Sequence, residues 1–211
     1  MKELIRQLES LTVSLPTCEE IYTYPKVTDP SPKIAFYIMG PAGAGKTTTY
    51  KTFFKNPNNH LYYNFDNYYE ALLKLNASYL NTLEKAKANS LHAKLMNHAK
   101  KCIQADLSKL TTSGNMLVID TPGANLPTIR QMHKALAAAG YTQYGIFVSA
   151  PLETLLEHNK QRSRQLPEKA IRELYSKTQK NKSTLKKLFT FIEPEKIPDI
   201  INGGLAAQTK S

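Results

Sequence analysis

Gly40-Pro41-Ala42-Gly43-Ala44-Gly45-Lys46-Thr47 decides the fold, because it satisfies G-x-x-x-x-G-K-[ST] at every position. Upstream lies Lys33-Ile34-Ala35-Phe36-Tyr37-Ile38-Met39, an apolar, aromatic and β-branched run of strand length. Downstream, residues 47–54 can continue as a helix. Strand, glycine-rich loop and helix in that order predict a phosphate-binding loop. Glycines at 40, 43 and 45 let consecutive backbone N–H groups turn inward on an anion, and the following helix aims its positive end at the same place. In this reading Lys46 reaches the terminal phosphates of a nucleotide and the Thr47 hydroxyl ligates Mg²⁺. Gly40, Pro41, Ala42, Gly43, Ala44, Gly45 and Thr48 complete the cradle. The alternative, a glycine-rich turn with a surface lysine, lacks any reason for the flanking pattern.

Outward from the loop, strand-like and helix-like stretches alternate. His60-Leu61-Tyr62-Tyr63-Asn64 reads as a second strand, with Asn64-Phe65-Asp66-Asn67-Tyr68-Tyr69 at its C-terminal end. Residues 70–110 are helix-like, and their charged positions are mostly lysines. Met116-Leu117-Val118-Ile119 reads as a buried strand ending at Asp120-Thr121-Pro122-Gly123. A helix follows from about Pro127 to Ala139, then a strand at Tyr144 to Ser149 and a helix start at Pro151. The alternation predicts an α/β fold of the P-loop NTPase type, a doubly wound parallel sheet with helices on both faces and a helical lid.

The expected organisation is an N-terminal helix and extended connection over residues 1–32 and one core domain over 33–202. That domain carries a helical insert at about 70–110 and a lid at about 159–167, and a flexible tail follows over 203–211. Pro167 is expected to open a helix through about Thr178, while Thr190-Phe191-Ile192 and Ile200-Ile201 read as edge strands. Cys18 and Cys102 lack metal-ligand spacing and read as separate thiols in a reducing interior. With no membrane-length apolar run and no secretory leader, the expectation is a cytoplasmic protein, in the host cytoplasm if phage-encoded. No membrane association and no obligate protein partner are expected. A net charge of +11 makes nucleic acid the partner to consider, although lysines also serve as solvated helix faces.

Phosphoryl transfer needs a nucleotide cradle, a carboxylate for the attacking hydroxyl, and cations over the migrating group. Asp66, at the end of the second strand, is the candidate base; a helix N-cap is its structural alternative. Asp120 ends an apolar strand, where a carboxylate can hold Mg²⁺, and its alternative is a turn residue before Pro122-Gly123. Arg162 and Arg164 occupy the lid stretch, and a guanidinium suits phosphate oxygens. The competing GTPase class is favoured by Asp120-Thr121-Pro122-Gly123 as D-x-x-G. It is disfavoured by the missing aspartate in Asn159-Lys160-Gln161-Arg162 and Asn181-Lys182-Ser183-Thr184.

On these residues the chain resembles, over about 33–182, the P-loop kinases that include phage polynucleotide kinase, zeta-type toxins and phage kinases acting on 5-hydroxymethyluracil in DNA. The family's Asn-x-Asp-Asp-Tyr-Arg segment is matched by Asn64-Phe65-Asp66-Asn67-Tyr68-Tyr69, with departures at Asn67 and Tyr69. Its later elements are mirrored by Ile119-Asp120-Thr121, Gly140-Tyr141, Ala150-Pro151-Leu152-Glu153-Thr154-Leu155 and Asn159-Lys160-Gln161-Arg162. The resemblance implies an ATP- and Mg²⁺-dependent kinase with Asp66 as general base and Arg162 on the nucleotide phosphates, Arg164 beside it. The acceptor it implies is a hydroxyl on nucleic acid, foremost a 5-hydroxymethyl base in DNA. In that case Tyr62, Tyr63, Tyr68 or Tyr69 would stack on a base while lysines track the backbone. A 5′-hydroxyl kinase, a zeta-toxin-like nucleotide-sugar kinase and, from another class, a nucleotide-binding switch stay open.

Overall fold

The computed structural model describes residues 15–29, 31–162 and 165–208 of the chain. In chain order the elements are α1 (Cys18–Ile21), β1 (Ile34–Met39), α2 (Lys46–Phe53), β2 (His60–Asn64), α3 (Phe65–Leu75), α4 (Ala77–Leu80) and α5 (Lys85–Thr112). They continue with β3 (Met116–Thr121), α6 (Leu126–Ala138), β4 (Thr142–Phe147), α7 (Leu152–Lys160), α8 (Glu168–Leu188), β5 (Thr190–Phe191), a 3-10 turn (Pro194–Lys196) and α9 (Ile197–Gln208). The chain divides into two compact units, one of residues 1–24 and 64–106, the other of residues 25–63 and 107–211.

The larger unit is built on a five-stranded sheet in the order β2-β3-β1-β4-β5. β1 runs parallel to both β3 and β4, and β4 parallel to β5. All six residues of β1 are buried, as a central parallel strand covered on both faces requires. Alternation sends Ile34, Phe36 and Ile38 into a cluster with Phe54, Met116, Val118, Ile146 and Ile197. On the opposite face the Tyr37 ring lies 4.4 Å from Phe189, and its hydroxyl donates to Gln143 at 3.2 Å. Burial raises the Tyr37 phenol, so it stays protonated. The chain leaves β1 toward β3 and β2 on one side and leaves β4 toward β5 on the other. The loops after β1 and β4 therefore part at a topological switch point, where open α/β sheets bind ligands.

In the smaller unit, Thr17 and Glu20 form a reciprocal capping box that starts α1 inside the stretch expected to be extended. Asn67 Nδ2 donates to Tyr22 Oη at 3.2 Å, and Tyr68 donates to the buried Asp106. Burial and then that hydrogen bond raise the Tyr68 phenol. His98 Nε2 meets the Pro16 carbonyl oxygen at 2.8 Å. Cys18 and Cys102 are joined in a disulfide, which overturns the reading of two separate thiols.

Other expectations are corrected by local chemistry. Residues 70–110 are helical in three pieces: α3 starts at Phe65 and ends at Leu75, α4 is short, and α5 resumes at Lys85 and runs to Thr112. Asn76 ends α3 by donating its side-chain amide to the Leu72 carbonyl. The helix after Pro167 continues past Thr178 to Leu188, because Ile171, Thr178 and Leu185 form one buried line. Ile200 and Ile201 are helical rather than strand, packed against the core of the sheet. The expected tail is likewise helical through Gln208; Gly204 belongs there because a Cβ would meet Pro32 Cβ at 2.7 Å. The N-terminal helix, read from residues 2–10, and the last three residues of the tail lie outside the described residues.

Candidate active site

The phosphate loop leaves β1 at the switch point and enters α2 at Lys46. Its glycines answer two constraints. A Cβ on Gly40 would sit 2.1 Å from the Val148 carbonyl oxygen, so the loop after β4 leaves no room for a side chain. Gly43 and Gly45 have φ of 84° and 101°, in the left-handed region that a Cβ disfavours. The loop is tied down by Val148 N–H donating to the Met39 carbonyl at 2.7 Å and Gly40 N–H to the Thr121 carbonyl at 3.3 Å. At the end of α7, the Nδ1–H of His158 donates to the Gly43 carbonyl at 2.8 Å.

Lys46 and Asp120 meet in an ion pair, where the sequence reading had given them to nucleotide phosphates and to Mg²⁺. Lys46 Nζ lies 3.6 Å from Asp120 Oδ1 and 3.4 Å from the Pro41 carbonyl oxygen, with the side chains 12 and 9 % exposed. At that degree of burial the Coulombic attraction is less screened than at the surface, and the desolvation of both charges offsets it. Asp120 Oδ2 accepts from the Tyr62 hydroxyl at 2.8 Å, which the sequence reading missed by treating Tyr62 as a base-stacking platform. The Tyr62 ring stacks on Tyr50 of α2 at 3.9 Å and 13°. Tyr50 in turn meets the buried His60 Nε2 at 2.9 Å, while His60 Nδ1 meets Asn59 Oδ1 at 2.9 Å. An Nδ1–H facing the amide oxygen leaves Nε2 as acceptor for the Tyr50 hydroxyl proton. Burial holds the imidazole below its usual value, so it is neutral and suited to that role.

The loop after β3 is clamped from α8. Thr178 donates to the Pro122 carbonyl at 2.8 Å, and Asn181 Nδ2 reaches the carbonyls of Gly123 and Ala124 at 3.1 and 3.0 Å. Gly123 is closely covered, with Leu185 Cδ1 3.4 Å from where its Cβ would lie. Neither contact is signalled by the local sequence, since Thr178 and Asn181 act across more than fifty residues.

Asn159 and Lys160 still belong to α7, so the lid stretch is narrower than 159–167. Asn159 staples it at the base: its Nδ2 donates to the Leu166 carbonyl and its Oδ1 accepts from Leu166 N–H, both at 2.9 Å. Arg162 lies in the turn so closed, its N–H donating to the Asn159 carbonyl; Arg164 lies outside the described residues. Asp66 stands in the first turn of α3, in the smaller unit, and its N–H is capped by Asn64 Oδ1 at 2.8 Å. Of the tyrosines expected to stack on bases, Tyr63, Tyr68 and Tyr69 are 7, 0 and 6 % exposed and present no open ring face of any size.

The residues fit a magnesium ion by their chemistry. Among the described residues no cluster of three or more His, Cys, Asp or Glu side chains could hold a metal, so the protein alone builds no cage. One carboxylate at Asp120 and one hydroxyl at Thr47, beside a phosphate cradle, match a hard cation that takes its remaining ligands from phosphate and water.

Comparisons with known proteins agree with this geometry. Residues 36–180 match a family described as AAA domain, AAA_33. No curated protein matches the sequence. Among solved structures, one from the PezAT chromosomal toxin–antitoxin system of Streptococcus pneumoniae is similar at 19% identity and a TM-score of 0.53, covering 92% of this chain and 76% of that one. The AvrRxo1-ORF1:AvrRxo1-ORF2 complex with sulphate ions is similar at 17% identity and a TM-score of 0.52, covering 91% of this chain and 61% of that one. The same complex with ATP gives 18% identity and a TM-score of 0.51, covering 88% of this chain and 57% of that one. Against that complex the chain spans less than two thirds of the partner's length. These likenesses establish the fold, a P-loop NTPase fold of the kinase type. With its glycine-bounded loop, Lys46 and Asp120 inside the matched span, the chain belongs to the AAA domain family AAA_33.

Proposed function

We propose that the protein is an ATP-dependent phosphotransferase that moves the γ-phosphoryl group to a hydroxyl acceptor. The observation that carries this reading is the convergence of Lys46 and Asp120, held by Tyr62, beside a loop where a side chain at Gly40 would clash and side chains at Gly43 and Gly45 would be strained. Fold likeness to an ATP-bound complex is consistent with the choice of nucleotide.

In this reading the first-turn N–H groups of α2, which have no partner four residues earlier, receive the phosphates. Lys46 exchanges Asp120 and the Pro41 carbonyl for phosphate oxygens. Magnesium, when bound, would be held by Thr47 and Asp120 and would neutralise phosphate charge. Asp66 accepts the proton of the acceptor hydroxyl as that oxygen bonds to the γ-phosphorus and the bond to the β,γ-bridging oxygen breaks, releasing ADP. Arg162, in the loop pinned by Asn159, supplies a guanidinium to the migrating group, with Arg164 as its neighbour in sequence.

For the acceptor, the charge of +11 favours a hydroxyl on nucleic acid, and a 5-hydroxymethyl base in DNA remains the specific candidate. A small-molecule acceptor is the second reading, favoured by the burial of Tyr63, Tyr68 and Tyr69, which removes most of the expected stacking platforms. Incubation with labelled ATP and a panel of hydroxymethylated DNA, 5′-hydroxyl oligonucleotides, nucleosides and nucleotide sugars decides between them. Label on DNA supports the first and label on small molecules alone supports the second. ATP hydrolysis with no acceptor labelled would instead mark a nucleotide switch.

A further inference from the structure

The larger unit carries a surface that phosphotransfer does not use. No Asp or Glu occurs between Asp120 and Glu153, a span that includes all of α6, nor between Glu173 and Glu193, which covers most of α8. These two helices pack on each other. The exposed charged side chains of α6, and of α8 past Glu173, are therefore all cations, Arg130 and Lys134 on α6 and Lys177, Lys180 and Lys187 among those on α8, while the first turns of α8 expose Glu168 and Glu173 beside Lys169.

Helical geometry orders them. Ile171, Thr178 and Leu185 mark the buried line of α8. At 100° and 1.5 Å per residue, Lys169, Lys180 and Lys187 fall within about 20° of one meridian on the opposite side, separated by rises of about 16 and 10 Å. Lys177 shares its edge with Asn181, one turn on, whose amide reaches the carbonyls of Gly123 and Ala124 that lead into α6. That edge of α8 thus faces the start of α6, the helix that carries Arg130 and Lys134. Near the N-terminal end Arg172 is engaged by Glu168 at 2.6 Å, while the exposed Glu173 stands between Lys169 and Lys180, so the basic side of α8 begins at Lys177.

We propose that the α6–α8 face is a docking surface for the phosphodiester backbone of a polynucleotide. The acid-free stretch from Lys177 to Lys187, about 15 Å of helix, matches a strand that presents a phosphate every few ångströms, and the contacts it makes carry no sequence information. Two rival polyanions fit less well. A membrane-bound helix pairs its basic face with large apolar side chains. Among the described residues the exposed large apolar side chains are Leu15, Leu75 and Met96, none of them on α6 or α8. A protein partner would need an apolar centre to its interface, which these positions do not offer. The proposal deepens the nucleic-acid reading of the acceptor, yet it concerns binding and does not require transfer.

The test is fluorescence anisotropy of a labelled single-stranded 20-mer DNA with the full chain, without ATP, from 50 to 300 mM salt. Two triple variants with equal charge loss are compared: Lys177→Gln/Lys180→Gln/Lys187→Gln on the face, and Lys85→Gln/Lys100→Gln/Lys101→Gln on the exposed side of α5. The expected result is binding at 50 mM that falls steeply with salt. The face variant should bind at least tenfold more weakly with a salt slope reduced by about 2, from ~0.7 per lost phosphate contact. The α5 variant should keep the wild-type slope. No binding at 50 mM overturns the proposal, as does an equal loss in both variants, or displacement of the oligonucleotide by phosphatidylserine vesicles at matched charge. Binding without any labelled acceptor would leave the docking surface standing and remove the kinase reading; transfer to a nucleoside by a protein that does not bind DNA would do the reverse.

Discussion

Tyr62 donates its hydroxyl proton to Oδ2 of Asp120 at 2.8 Å, while Oδ1 of the same carboxylate faces Lys46 at 3.6 Å. A residue of β2 thereby orients a carboxylate of the neighbouring strand toward the phosphate loop. A hydrogen bond to a charged acceptor is worth about 1.5–3 kcal/mol, so Tyr62→Phe is expected to lower turnover by about 10- to 150-fold. Nucleotide affinity should stay within about threefold, since no phosphate contact is removed. Steady-state kinetics beside calorimetric ATP binding check this; unchanged turnover would mean that Asp120 is held by other groups.

Two glycine-to-alanine changes should act with opposite signs. At Gly40 the new Cβ would lie 2.1 Å from the backbone oxygen of Val148, and Gly40→Ala should cost about 2 kcal/mol or more. At Gly203, inside α9, nothing lies within 4 Å of the new Cβ, and Gly203→Ala should stabilise by about 0.5–1 kcal/mol through helix propensity. Urea unfolding of both variants measures the pair.

Asp66→Asn keeps side-chain size and leaves the N-cap contact of Asn64 with the residue 66 N–H available. If Asp66 receives the acceptor proton, transfer should drop by about 100-fold or more while ATP binding persists. Wild-type transfer rates in the variant would remove Asp66 from the mechanism.

The Cys18–Cys102 bond closes 84 residues of sequence separation. Loop-entropy reasoning gives about 4.5 kcal/mol for a loop of that length, so reduction should markedly destabilise the smaller unit. Melting followed with and without a dithiol reductant, and in Cys18→Ser/Cys102→Ser, tests this; identical curves would show that the bond adds nothing.

His60 is buried and its folded-state pKa lies below the ordinary value, which is about 6.5 in an unfolded chain. Between the folded and unfolded values the unfolded state binds more protons, so stability rises with pH there. Stability should therefore fall as pH drops below about 6.5 through the folded value, with no contribution from this group at higher pH. Denaturant midpoints at pH 7.5 and 5.0 should converge in His60→Gln, which cannot take up the proton.

Much of the nucleotide half of the site was legible because its determinants are local. The phosphate-loop pattern, the apolar strands before it and before Asp120, and their order along the chain are each written in contiguous residues, and the sheet follows from them. Tyr62 was misread for the opposite reason: nothing near it in sequence says that its partner lies fifty-eight residues on. The same holds for Thr178 and Asn181 on the β3 loop.

By itself, then, the sequence determined the class of fold and the glycine loop between β1 and α2, since backbone periodicity and glycine stereochemistry act over a few residues. Only the tertiary structure decided which polar atoms meet. The disulfide between Cys18 and Cys102, the helix at Gly203 and Gly204, and the hydrogen bond that aims Asp120 all depend on long-range packing. Such contacts form where burial makes an unmatched polar group costly, a cost set by neighbours distant in the chain.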